Sequence, residues 1–327
     1  MIFAVYLAVA LIVVFFSIKC ADYVDMLDKK TDISGAFIGG VILAAVTSLP
    51  EMVTSISAIG IGSEELIVGN VLGSNLFNLC IFGGLVLFTS KGFRTSKVGS
   101  SHIITLICIM GAYITMGAVL FGNIGAIPNV SVNAASFVLV VLYAISCKFM
   151  ASDESESDDE EEISLSLKQI VTRFVLCALG LVLSSIAITY ITDVIDETYN
   201  LGTSFAGAIF LGIATSIPEL TSSISLVKKR NYNAMIGNVV GSCMFNFIIF
   251  SLADIIAFRR NVFVTSPDAR LMVVLGAVSA AVTFAALIAK RISDNHGKKL
   301  PCGIFAVLAF LILVSYVMFL VLSVTNG

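Results

Sequence analysis

The sequence predicts an all-α polytopic membrane protein, with ten transmembrane helices in two inverted-topology repeats of five. Three observations carry this expectation. Hydrophobic residues make up 58% of the 327 positions and charged residues 13%, about half the charged share of a soluble domain; mean hydropathy is +1.02. Apolar runs of the ~20 residues needed to cross hydrocarbon recur along the whole chain. A block of polar residues occurs twice with the same internal spacing. The composition sets aside a soluble enzyme, a disordered scaffold and, with a net charge of −3, a nucleic-acid binder. The expected partner surface is the lipid bilayer.

The spans read, in order, as about 2–19, 33–60, 65–89, 101–121, 130–150, 168–192, 203–227, 232–257, 271–289 and 301–324. The first has no basic residue before it and no small-residue cleavage site after it, so it reads as a retained helix rather than a signal peptide. The basic residues fall in loops or at span ends. Lys19, Lys29 and Lys30 follow span one, and Lys91, Arg94 and Lys97 follow span three. Lys148, Lys168 and Arg173 flank the central loop, Lys228, Lys229 and Arg230 follow span seven, and Lys290, Arg291, Lys298 and Lys299 follow span nine. Only Arg259, Arg260 and Arg270 lie on the other side. The positive-inside rule puts the larger set in the cytoplasm, which leaves both termini outside and suggests the cell membrane as the location.

The domain division follows: a first five-helix repeat over 1–150, an acidic cytoplasmic linker over 151–167, and a second repeat over 168–327. The linker carries Asp153, Glu154, Glu156, Asp158, Asp159, Glu160, Glu161 and Glu162; a block of like charge reads as solvated chain. The seven cysteines are scattered without a C-x-x-C pair and read as small apolar helix residues. His102 and His296 sit near span ends or in a loop and read as packing or solvated residues.

Residues 44–83 align without a gap to residues 212–251, with 16 of the 40 positions identical. Thr47-Ser48-Leu49-Pro50-Glu51 matches Thr215-Ser216-Ile217-Pro218-Glu219. Gly69-Asn70-Val71-Leu72-Gly73-Ser74 matches Gly237-Asn238-Val239-Val240-Gly241-Ser242, and Asn78 matches Asn246. Apolar helices related by chance would agree in Leu and Val, not in Pro, Glu and Asn. Five spans separate the copies, an odd number, so the copies enter the membrane from opposite sides, the arrangement found in many secondary transporters.

The repeated residues define a chemistry. An ionised carboxylate in mid-membrane costs at least ~2.5–3.5 kcal/mol, and Glu51 and Glu219 both lie well inside spans with no basic residue at their depth. A bound cation is the simplest compensation. Pro50 and Pro218 have no N–H to give the carbonyls of Val46 and Ala214, and irregular backbone at this depth is tolerated where it lines a site or is buried in protein. Ser48, Glu51 and Ser55 share a helix face, as do Ser216, Glu219 and Ser223. Asn70, Ser74 and Asn78 recur every four residues, as do Asn238, Ser242 and Asn246, and can add neutral ligands or hydrogen-bond the glutamates. Such hard oxygen donors suit Ca²⁺ and Na⁺. The paired G-x-x-x-G spacings, Gly69/Gly73 and Gly237/Gly241, permit close helix approach.

These paired motifs strongly resemble the two alpha repeats of the sodium/calcium exchanger family. The sharp motifs cover about 80 residues, and the span plan matches over the whole chain. The resemblance implies antiport of Ca²⁺ against Na⁺, with Glu51 and Glu219 and the carbonyls of Thr47 and Thr215 binding Ca²⁺. It implies sodium sites that add Ser48, Ser74, Ser216 and Ser242, with Asn78 and Asn246 at the last polar position of each repeat. Both ions are substrates, and no cofactor is expected. The family usually has Gly before each motif threonine, where this chain has Val46 and Ala214. Some relatives, potassium-dependent ones among them, carry Asp where this chain has Asn246, which argues against potassium dependence. The alternatives are a Ca²⁺/H⁺ antiporter, whose usual G-N-x-x-E motif is absent here, and a cation channel. An intramembrane hydrolase has no supporting Ser-His pair, paired aspartates or H-E-x-x-H.

Overall fold

The computed structural model describes residues 2–122, 124–125, 132–153, 164–199, 215–257, 260–295 and 300–326. The expected start of span seven, Ala214, Glu154 to Glu162, Arg259, His296, Lys298 and Lys299 lie outside the described residues. The chain is an all-helical polytopic membrane protein; among the described residues there is no strand. Among the described residues eight helices are long and apolar enough to cross a membrane, and a bent pair, Gly35–Thr47 with Leu49–Gly60 at 41°, makes a ninth if it is one span.

The helices are α1 (Ile2–Lys30), α2 (Gly35–Phe37), a π-helical stretch (Ile38–Leu43), α3 (Ala44–Thr47), α4 (Leu49–Ile61), α5 (Glu64–Phe88), α6 (Ser90–Thr95) and α7 (Ser101–Gly122). After these come α8 (Ala134–Ala151), α9 (Leu167–Tyr199), α10 (Ile217–Lys228), α11 (Tyr232–Ile256), α12 (Pro267–Asn295) and α13 (Cys302–Asn326). Most bounds fall within a few residues of the apolar runs. The main departure is α1, which continues past its apolar run to Lys30. Its polar tail is held by pairs at helical spacing, Lys19 with Asp22 at 3.3 Å and Lys29 with Asp25 at 3.4 Å, and by Lys229 from the end of α10, 3.3 Å from Asp22. Such pairs add a few tenths of a kcal/mol each on a helix surface.

Burial separates centre from rim. In their most apolar windows, 72% of α11 and 61% of α5 is buried, against 11% of α1 and 22% of α13. The two central helices carry the second half of each sequence motif. They pack against each other, and α11 also packs on the π-helical stretch and on α3 and α4. Small residues allow that crossing: a Cβ on Gly39 would strike the Ala234 carbonyl, and one on Gly241 would strike the Gly40 carbonyl. The second G-x-x-x-G pair therefore lies where backbones meet, as its spacing predicts. Asp254, near the end of α11, accepts from Asn133 N at 2.8 Å and Ser136 Oγ at 2.6 Å; it ties α11 to the start of α8.

Candidate functional site

Two helix starts face one another at the centre. In the first, α3 stops at Thr47, Ser48 takes φ −91° and ψ 7°, and α4 restarts with Pro50 in its first turn. Proline fits there because the first N–H groups of a helix have no intrahelical partner to lose. In the second, Ser216 takes φ −97° and ψ 9° ahead of Pro218 and α10. Glu51 and Glu219 thus fall in the first turns of α4 and α10. The positive end of a helix dipole favours a negative side chain there, which lowers part of the cost of carrying a carboxylate at this depth.

The two copies serve each other. Ser48 Oγ donates to Glu219 Oε1 at 3.0 Å, and Ser216 Oγ donates to Glu51 Oε1 at 3.3 Å. Ser74 Oγ, from α5, also donates to Glu51 Oε1, at 3.4 Å. Thr47 Oγ1 and Ser242 Oγ lie 3.4 Å apart. Thr47, Ser48, Glu51, Thr215, Ser216, Glu219, Ser242, Asn78 and Asn246 are all buried, as is Ser74.

Each carboxylate keeps its second oxygen unpaired: Glu51 Oε2 and Glu219 Oε2 are buried with no hydrogen-bond partner. Asn246 Oδ1 and both amide atoms of Asn78 are in the same condition. Buried polar atoms are nearly always partnered; Asn78 Nδ2 is a donor, but the four orphaned acceptors, Glu51 Oε2, Glu219 Oε2, Asn78 Oδ1 and Asn246 Oδ1, point to a ligand of positive charge. Among the described residues no group of three or more His, Cys, Asp and Glu side chains is placed to hold a metal. The donors are two carboxylates with neutral oxygens, a set for hard cations.

The other face residues have a different task. Asn70 Nδ2 donates to the Glu51 backbone carbonyl and to Ser55 Oγ, both at 3.0 Å. Asn238 Nδ2 donates to Ser222 Oγ and Ser223 Oγ, both at 3.0 Å. These asparagines brace α4 on α5 and α10 on α11, and neither bonds a glutamate side chain. Ser55 and Ser223, expected on the carboxylate face, are taken up by these braces.

Two contributors escaped the sequence reading. Asn75, buried in α5, accepts from Asn246 Nδ2 at 2.9 Å; the signal was an amide in an apolar run, at the one polar position of its motif that the second copy does not repeat. Ser17 of α1 donates to the Pro218 carbonyl at 2.6 Å and receives a bond from Thr221 Oγ1 at 2.7 Å. A single serine in a long apolar helix gives no warning of such a role.

The profile of a family described as sodium/calcium exchanger protein matches residues 1–151 and 170–325. The inner membrane protein YrbG of Escherichia coli (strain K12) is 24% identical over 251 residues, covering 73% of this chain and 74% of that protein. The putative antiporter CaxA of Alkalimonas amylolytica is 26% identical over 236 residues, covering 70% and 72%. The Ca²⁺/H⁺ antiporter ChaA of Bacillus subtilis (strain 168) is 23% identical over 231 residues, covering 65% of each chain. Among solved structures, the sodium-calcium exchanger NCX_Mj soaked with Na⁺ and Sr²⁺ superposes with a TM-score of 0.70 at 18% identity, covering 97% of this chain and 98% of that one. That likeness is one of fold.

Proposed function

This chain belongs to the sodium/calcium exchanger protein family, a family of transporters rather than enzymes, and from that premise we propose that it exchanges Ca²⁺ for Na⁺ by alternating access. The observation that carries the proposal is the reciprocal pairing of Ser48 with Glu219 and Ser216 with Glu51, with the second oxygen of each carboxylate left free. Glu51 and Glu219 are the charged ligands. Thr47, Ser48, Ser74, Asn78, Thr215, Ser216, Ser242 and Asn246 supply neutral oxygens. One Ca²⁺ balances the two carboxylates, and so do Na⁺ ions shared with hydroxyl and amide oxygens. Full occupancy by both ion types places excess charge in a medium of low dielectric, which is costly. An empty site leaves two carboxylates bare. Only loaded forms then switch readily.

In this reading the chain has ten spans in two inverted halves, 1–150 and 168–327, joined by the acidic cytoplasmic linker 151–167. Both termini lie outside the cell membrane. The halves rock about the shared site.

The family relative named as a Ca²⁺/H⁺ antiporter supports a second reading, in which protons replace Na⁺ on the same glutamates. The sequence favours Na⁺, because the segments that begin Gly69-Asn70 and Gly237-Asn238 have Gly73 and Gly241 where the G-N-x-x-E motif has Glu; the neutral oxygens serve Ca²⁺ in either reading. Uptake of radioactive Ca²⁺ into proteoliposomes under imposed Na⁺, K⁺ or H⁺ gradients separates the two. In parallel, Ca²⁺ affinity of the purified protein is expected to fall without a plateau as Na⁺ rises. An affinity unchanged at saturating Na⁺ rejects the shared site.

A further inference from the structure

A side-chain amide has two ends of nearly the same shape and opposite electrostatic sense. An asparagine can serve a cation only if something turns its oxygen toward the ion. Asn246 lies one helical turn beyond Ser242 on the same face of α11. Its Nδ2 donates to Asn75 Oδ1 at 2.9 Å, and its Oδ1 is left buried and unpaired.

We propose that Asn75 is a positioning residue, which holds the amide of Asn246 with its oxygen presented to the transported cation. The proposal rests on the reading of the site given above, in which Asn246 is a ligand. The pair has two self-consistent arrangements. In the one present here Asn246 donates, so its own oxygen is free and the unpaired donor is Asn75 Nδ2. In the opposite one Asn75 donates to Asn246 Oδ1, which uses up the acceptor that a cation requires. Two facing amide nitrogens, or two facing oxygens, make no bond.

The second copy of the motif supplies an internal comparison. The position equivalent to Asn75, 168 residues further on, is Cys243; its Sγ points to the Asn75 carbonyl oxygen at 3.8 Å and offers no strong acceptor. Asn78, the equivalent of Asn246, has neither amide atom paired. The two copies therefore differ here: Asn246 has a side chain that sets its orientation, and Asn78 has none among its described neighbours. Asn75 and Cys243 are both fully buried, so solvent cannot do this work for them.

The test compares N75S with N75C in the reconstituted full-length protein. The two new side chains differ in a single atom, oxygen for sulfur, so they are close in size while the acceptor is strong in one and weak in the other. The half-maximal Na⁺ and Ca²⁺ concentrations for exchange are the readouts. N75C is expected to weaken the apparent affinity for at least one of the ions by about three- to tenfold, the range of one net hydrogen bond, and N75S is expected to recover most of it. N246A should weaken the same ion, and adding N75C to it should cost no more. If N246A weakens binding but N75S and N75C behave alike, or if N75C costs as much beside N246A as alone, Asn75 only packs and the proposal is overturned while the site stands. If N246A changes neither ion's dependence, Asn246 is not a ligand, and the reading beneath the proposal fails with it.

Discussion

Replacing Glu51 or Glu219 by glutamine isolates charge from shape. Glutamine keeps an oxygen where Ser216 and Ser74 donate to Glu51, and where Ser48 donates to Glu219, so the hydrogen-bond frame survives. What goes is one of two negative charges. At an effective dielectric constant of about 20, unit charges ~4 Å apart attract by about 4 kcal/mol. A divalent ion loses about twice that and a monovalent ion about that much. Even if relaxation halves both figures, Ca²⁺ affinity falls about a thousandfold and Na⁺ affinity about thirtyfold. Calcium uptake into proteoliposomes should therefore vanish in either variant, and Ca²⁺ binding should suffer about twice the logarithmic loss of Na⁺ binding. Without cations the variants should melt no lower than the parent, because burying the neutral side chain avoids the ~2.5–3.5 kcal/mol charged-group cost. Normal Ca²⁺-dependent exchange in E51Q or E219Q would remove that glutamate from the site. Equal losses for the two ions would refute the charge-balance reasoning.

The linker, Asp153 and one packing contact give three further tests. Exchanging Glu154 to Glu162 for a neutral linker of equal length should leave exchange intact, measured as Ca²⁺ uptake; complete loss with normal expression would reveal a regulatory role. Asp153 must be kept apart from that exchange. It accepts from Ser101 Oγ at 2.7 Å at the start of α7, and D153A should cost about 1 kcal/mol of stability, read by thermal melting in detergent. At Gly241, an added methyl meets the Gly40 backbone rather than a movable side chain. G241A should sharply reduce folded yield on size-exclusion chromatography; a fully active, normally stable variant would show that the crossing can open without cost.

Much of this organisation was legible in the sequence because a bilayer imposes a simple rule. A helix that crosses it must be apolar, so Glu51, Pro50 and Asn78 are conspicuous, and their recurrence at Glu219, Pro218 and Asn246 says that they act together. The edges of the apolar runs also locate most helix ends. The tail of α1 was not legible from its apolar run, because it is held by polar pairs, two at helical spacing and others to Lys229, far along the chain. The division of labour among polar residues was hidden too. Helical spacing places Ser55 and Ser48 on one face, but only packing decides that Ser48 reaches Glu219 while Ser55 receives Asn70. Asn75 and Ser17 act through partners 171 and 201 residues away, and periodicity within a helix carries no information about such distances.

The crossing of serines and glutamates between the copies also constrains how the protein is made. Ser216 follows Glu51 by 165 residues, which at about 5–20 residues per second takes roughly ten to thirty seconds to synthesise. Throughout that interval the first glutamate is in the growing chain and the serine that will serve it does not yet exist. A ribosome pause or a truncation before Ser216 therefore leaves Glu51 with the donor from its own repeat, Ser74, and without the one from the second copy.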